Sequence, residues 1–383
     1  MGQRVTASMA GRLSTLRMAQ GAWPVLVILL SPAGPAMAQS ASSSPVAEWR
    51  GLDVAVLVER ARAADPATRT QAACAMRERR NVPPAGIAAL VTLLPDDATV
   101  PVAVCEAGNN LDRYGAPRTT SPGREAAHAL AEAGTVAFDP LNKALEHTSP
   151  VARRNAALGL GMLDDARAVP TLITHLTDQA GPVRAQVAWA LGAIDDARAV
   201  PPLIARLADS DGEVRAKVVW SLGALDDARA VEPLARAITD AESKVRRQVA
   251  WALGAIGDAR AVPALSSAIR DPEPDVRKQA AWALGAVGDA GGVEALTLAL
   301  ADTQPDVRQQ AAWAQGAIGD ARAVPALLRV LQDSQPAVRR QAVWALGAIG
   351  DGRAGPALTT ALNDEDRQVR RHAAWALGQV GGR

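Results

Sequence analysis

The chain has 383 residues, of which 49% are apolar and only 3% aromatic, and a formal net charge of +1. With 41 basic against 40 acidic residues it lacks the basic surplus that a phosphate backbone selects, so nucleic acid is not an expected partner. The apolar share is that of a packed protein, and the length allows a long core.

The chain opens on Arg4, Arg12 and Arg17, followed by a short apolar run from Ala22 to Leu30 and by Ala36-Met37-Ala38, an A-x-A cleavage signal before Gln39. Residues 1–38 therefore read as a secretory signal peptide, and the mature chain as exported, periplasmic or secreted. The run is too short to span a bilayer comfortably and no other stretch is a candidate, so no membrane insertion is expected after cleavage. Losing the three leader arginines tips the charge balance slightly acidic. Residues 39–50 then read as a flexible linker, rich in Ser, Ala and Pro.

Residues 51–163 read as an irregular cap. Helical patterns cover Leu52 to Ala64, Thr68 to Arg80 behind Asp65-Pro66, and Pro84 to Leu94. From Pro95 to Gly123 the pattern breaks into an insertion rich in Pro, Gly, Asn and Asp, carrying Cys105, Asn109, Asn110 and Tyr114; it resumes at Arg124. A loop of that length is commonly functional, disordered or pinned. Cys74 and Cys105 are the only cysteines, and in an exported chain an even count favours a disulfide, here a staple from the insertion to the cap. Val151 to Leu163 resembles the second half of the units that follow.

Residues 164–383 read as seven regular repeats. Trp189, Trp220, Trp251, Trp282, Trp313, Trp344 and Trp375 stand 31 residues apart, and each unit reads approximately D-A-R-A-V-P-x-L-x-x-x-L-x-D-x-x-x-V-R-x-Q-A-A-W-A-L-G-A-I-G. A constant period of this size marks a solenoid. Proline in the opening turns and glycine at the end, as in Pro263, Pro274 and Gly288, divide each unit into two helices. On a wheel of the second helix, Val183, Val187, Ala190, Leu191 and Ile194 share one apolar stripe, and Trp189 lies roughly 135° from its centre at about 100° per residue. Ala188 and Gly192 fall between, small enough to let a neighbouring helix approach. The recurrent Arg153, Arg184, Arg215, Arg246, Arg277, Arg308, Arg339 and Arg370, with Asp178, Asp209, Asp240, Asp271, Asp302, Asp333 and Asp364, read as a ladder serving the stack, the Asp capping its helix and the Arg reaching an Asp of its own or the adjacent unit.

The segment V-R-x-Q-A-A-W-A-L-G-A-I-G-D-A-R-A-V-P-A-L resembles the HEAT repeat, specifically the bacterial PBS-lyase-like HEAT subclass, strongly over about 165–383 and weakly over 135–163. The resemblance implies an all-α, right-handed α-solenoid of two-helix HEAT-like repeats, with 51–163 as a degenerate cap. It also implies that the second helices line a concave surface on which the tryptophan position faces outward. Relatives include binding scaffolds, phycobilin lyase subunits and deoxyhypusine hydroxylase, so the fold leaves the chemistry open. None of His128, His147, His175 and His372 is followed by Glu, so the iron-binding His-Glu pairs of the hydroxylase are absent. No P-loop, G-x-S-x-G or H-E-x-x-H is present, and no catalytic residue, cofactor or metal is expected, although enzymatic activity stays open.

Two readings of the tryptophans stand side by side: packing between repeats, and a ligand-binding face. At i−3, on the same face, stand Gln186, Lys217, Gln248, Gln279, Gln310, Gln341 and His372. An amide beside an indole suits an extended peptide, so the expected function is that of an exported, non-enzymatic scaffold for a protein or peptide segment. The alternatives are a carbohydrate or peptidoglycan binder on the same ladder, and an enzyme or accessory subunit.

Overall fold

The computed structural model describes residues 49, 51–79, 81–105 and 118–381. The predicted signal peptide, most of the linker, and Asn109, Asn110 and Tyr114 of the insertion lie outside the described residues. The fold is an all-α solenoid of helix pairs, and the chain divides into two compact units, residues 1–194 and 195–383.

Among the described residues, the first unit holds four pairs. They are α1 (Val54–Arg60) with α2 (Pro66–Arg77), α3 (Pro84–Leu93) with α4 (Pro122–Glu132), α5 (Phe138–Ala144) with α6 (Pro150–Leu163), and α7 (Val169–His175) with α8 (Gly181–Ile194). The second helices α2, α4, α6 and α8 stack in order. The insertion joins α3 to α4. It is closed at its base by an antiparallel pair of two-residue strands, Val100–Pro101 against Thr119–Thr120, and by a disulfide from Cys105 to Cys74 of α2 with the Cα atoms 5.8 Å apart. Helix α4 begins at Pro122, two residues before the sequence reading, because Ser121 accepts from the Arg124 N–H and a proline at the first position needs no partner.

The second unit holds six pairs: α9 (Val200–Ala205) with α10 (Gly212–Ala224), α11 (Val231–Ala237) with α12 (Ser243–Ile256), α13 (Val262–Ala268) with α14 (Pro274–Val287), α15 (Val293–Ala299) with α16 (Pro305–Ile318), α17 (Val324–Val330) with α18 (Pro336–Ile349), and α19 (Gly355–Ala361) with α20 (Arg367–Gly381). Again the second helices form one row and the first helices pack on it.

The D-A-R-A motif does not simply start the first helix. Asp258 accepts from the Arg260 N–H and sets up a 3-10 turn, Ala259–Ala261, which leads into α13. Arg260 also pairs with Asp258 and donates to the Ala228 carbonyl of the preceding repeat, so the motif is a clip between repeats. The wheel is accurate about the core, since Val183, Val187, Ala190 and Leu191 are fully buried. Second helices end in a left-handed residue: glycine at Gly257, Gly288, Gly319 and Gly350, but aspartate at Asp164, Asp195 and Asp226.

Candidate functional site

A regular face needs a regular stack, and two devices set it. The first is an arginine clamp. Arg246 donates Nε and Nη2 to the carboxylate of Asp271, 25 residues on, at 2.6 and 2.9 Å, while its Nη1 reaches back to the carbonyls of Asp240 and Ala241 in its own turn. Arg215, Arg277, Arg308 and Arg339 do the same to Asp240, Asp302, Asp333 and Asp364, and Arg153 to Asp178 in the first unit. Thus the arginine takes the aspartate of the next repeat, not its own. Burial pushes the Asp271 carboxyl up, but the Arg246 hydrogen bonds, the Glu273 N–H and the surrounding arginine charge outweigh it and hold the group below the usual aspartate value. The irregular cap shares the clamp: Arg69 of α2 donates to Asp96 at 2.6 Å and to the carbonyls of Ala63 and Ala64. In α4 the clamp position is Glu125, buried, accepting from Thr120 and Arg77 beside the disulfide.

The second device is the Gly-Trp slot. A methyl group on Gly285 would lie 2.8 Å from Cα of Ala314 and 2.8 Å from Cζ3 of Trp313. The same contact joins Gly223 to Trp251, Gly254 to Trp282, Gly316 to Trp344 and Gly347 to Trp375, and in the first unit Gly161 to Trp189. Each of these six indoles therefore puts its edge into the glycine slot of the preceding second helix. Its remainder stays open: the tryptophans are half-buried, and Trp375 in the last repeat is 39% exposed. Packing between repeats is one real role of the ladder, and it leaves part of each indole on the surface.

Most of the side chains beside the rings are open to solvent and, among the described residues, have no partner within the protein. Among the described residues, the amides of Gln248, Gln279, Gln310 and Gln341, the Lys217 ammonium and the indole nitrogens of Trp220 through Trp375 make no hydrogen bond, and none of these nitrogens is sealed from solvent. His372 is held through Nδ1 to the Gln368 carbonyl. Gln186 and Trp189 repeat the arrangement in the first unit, also without hydrogen bonds. Nearby cations change along the row. Arg247 faces Asp275 at 3.7 Å and Lys278 faces Asp306 at 3.0 Å, each 28 residues on, whereas Arg340 and Arg371 have no acidic partner among the described residues.

Elsewhere the chemistry is sparse. Cys74, Cys105 and Glu125 form the only cluster of three potential metal ligands among the described residues, and its cysteines are joined to each other. An apolar groove of about 890 Å³ runs between α3 and α5, floored by Ile87, Val91 and Val136 and rimmed by Asp139, Lys143 and His147. No described helix is long and apolar enough to cross a membrane.

Comparison with a family model agrees with the repeat architecture. The HEAT repeats family model matches residues 123–186, 171–244, 231–305 and 293–378. Among solved structures, Escherichia coli YibA is 23% identical, covering 63% of this chain and 92% of its own, with a TM-score of 0.47. The CpcE–CpcF phycocyanin lyase complex of a Nostoc species is 24% identical over 63% and 94%, with a TM-score of 0.38. A designed armadillo repeat protein in complex with the peptide (KR)4 is 21% identical over 47% and 99%, with a TM-score of 0.40. These likenesses concern the fold alone, and no curated protein matches.

Proposed function

Because the chain belongs to the HEAT-repeat family, we propose that it is an exported, non-catalytic scaffold that holds an extended protein segment on the second-helix face bearing Lys217, the four glutamines and Trp220 to Trp375. The observation that carries this reading is the row of free amides in four successive repeats, beside free indole nitrogens in six. Polar groups that only serve a stack find partners within it, as the clamp arginines do; these find none. Half-buried indoles fixed at one edge add rigid, amphipathic contact area at low entropic cost.

The test is affinity capture from the envelope fraction by the purified chain and by a variant with Gln248, Gln279, Gln310 and Gln341 changed to alanine. These amides hold nothing in the fold, so helical content and melting should match the wild type while the captured partner is lost. A folded variant that retains every partner sinks the proposal. Export is checked separately, by an N-terminus of purified native protein beginning at Gln39.

A further inference from the structure

We infer that the segment held on this face is a proline-rich stretch in the polyproline II conformation, read three residues per repeat, with carboxylates at the end lying over Arg340 and Arg371. The inference rests on the proposed binding face and adds the conformation and chemistry of what it holds.

Three observations lead to it. The first is the step. Successive second helices pack on one another in one row, and packed helices stand roughly 8–10 Å apart. A β-strand returns the same face every two residues, or roughly 6.6–6.8 Å, and falls out of register with that ladder. A polyproline II helix returns the same face every three residues, about 9.3 Å at ~3.1 Å per residue, and keeps pace with it.

The second is the balance of donors and acceptors. Each indole offers one N–H and no acceptor, and each amide two N–H groups for one oxygen. A proline-rich segment is the complement, because its carbonyls are free of internal hydrogen bonds and its prolines carry no N–H. The exposed part of the indole beside each amide offers an apolar surface against which a pyrrolidine packs.

The third is charge. Arg247 and Lys278 are answered by Asp275 and Asp306, but the corresponding positions facing Gln309 and Arg340 are Ala337 and Gln368. The acids therefore stop where two unpaired guanidinium groups begin, in adjacent repeats, next to Trp344 and Trp375. A carboxylate on the ligand supplies the missing partner.

The experiment uses the full chain and a synthetic peptide of repeated Pro-Pro-Ser triplets with glutamates at both ends, so that either chain direction brings a carboxylate to the guanidinium pair. Binding is read by calorimetry and by tryptophan fluorescence. The triplet peptide should bind, an alanine-for-proline version should be at least tenfold weaker, and the four-glutamine variant should weaken the triplet peptide at least tenfold without a change in melting. The double variant Arg340→Gln/Arg371→Gln should remove most of the salt dependence. Equal binding of the two peptides overturns the conformational inference while leaving the scaffold reading intact. Saturable binding of chito-oligosaccharide in place of either peptide overturns both, and no binding of the triplet peptide overturns the inference alone.

Discussion

Gln315 takes the position that is leucine in the other regular second helices, and it is fully buried. Its Nε2 donates to the Val293 carbonyl and to the Thr297 hydroxyl, but its Oε1 has no partner. Thr297 donates to Val293 by itself, so removing the amide strands nothing and removes a buried orphan oxygen. Gln315→Leu should leave the thermal midpoint unchanged or raise it; a clear fall would give the amide a structural role. Asp226 poses the opposite problem, an L-residue at φ 49 where the later repeats use glycine. Partial desolvation, with the charges of Asp195 and Asp227, holds its carboxyl above the usual value although the residue is exposed. A raised folded value means that the favourable contribution exists only at low pH and is lost as pH rises through it, so at neutral pH the ionised group burdens the fold. Asp226→Gly should therefore stabilise by about 1 kcal/mol in urea melts at pH 7, and by less at pH 3.

At the scale of the helix, the A-L-G glycine gives a matched pair of tests. A methyl group on Gly285 would meet backbone and indole at 2.8 Å, whereas on Gly378, the same position in α20, it would meet nothing within 4 Å. Gly285→Ala should cost about 1–3 kcal/mol through overpacking, while Gly378→Ala should gain up to about 1 kcal/mol of helix propensity. Equal effects in thermal melts would mean that the slot is not tight. The clamp aspartates supply a pH test. Asp240, Asp271, Asp302 and Asp333 are held below the usual value of 3.8, so their contribution is present above the unfolded value and is lost as pH falls through the folded ones. The urea midpoint should fall steeply below about pH 4, and Asp271→Asn should flatten that fall. Helices, core stripe and repeat boundaries were legible because a fixed period and a wheel determine them. Which neighbour each side chain meets was not: the wheel gives the angle of Trp282 but not that it turns back to Gly254, and the spacing of Arg246 allowed either its own aspartate or the next. The clamp at Arg69 escaped because Asp96 lies 27 residues on and no tryptophan marks that repeat. The free state of the glutamines is a property of the fold and has no signal in the sequence beyond their shared face.

For the molecule as a whole, the two units call for different experiments. In the first, the disulfide ties α2 to the base of the insertion, and loop closure of this size corresponds to about 3–4 kcal/mol. Cys74→Ala/Cys105→Ala should lower the urea midpoint, with lost hydrogen-exchange protection confined to residues 1–194; uniform loss would contradict this. In the second, two contacts recur at every junction, arginine to the following aspartate and glycine to the following indole, while the arginine clip is missing where Gly291 takes its place. Deleting Asp258 through Gly288 would bring Arg246 to Asp302 and Gly254 to Trp313, the same chemical partners in the same places. The shortened chain should stay cooperatively folded with unchanged ellipticity per residue. The seam between repeats thus carries no memory of which repeats it joins, and a copying slip of one repeat in the gene lengthens or shortens the reading face without a misfit. Partner length is then open to selection by duplication, before any side chain has to change.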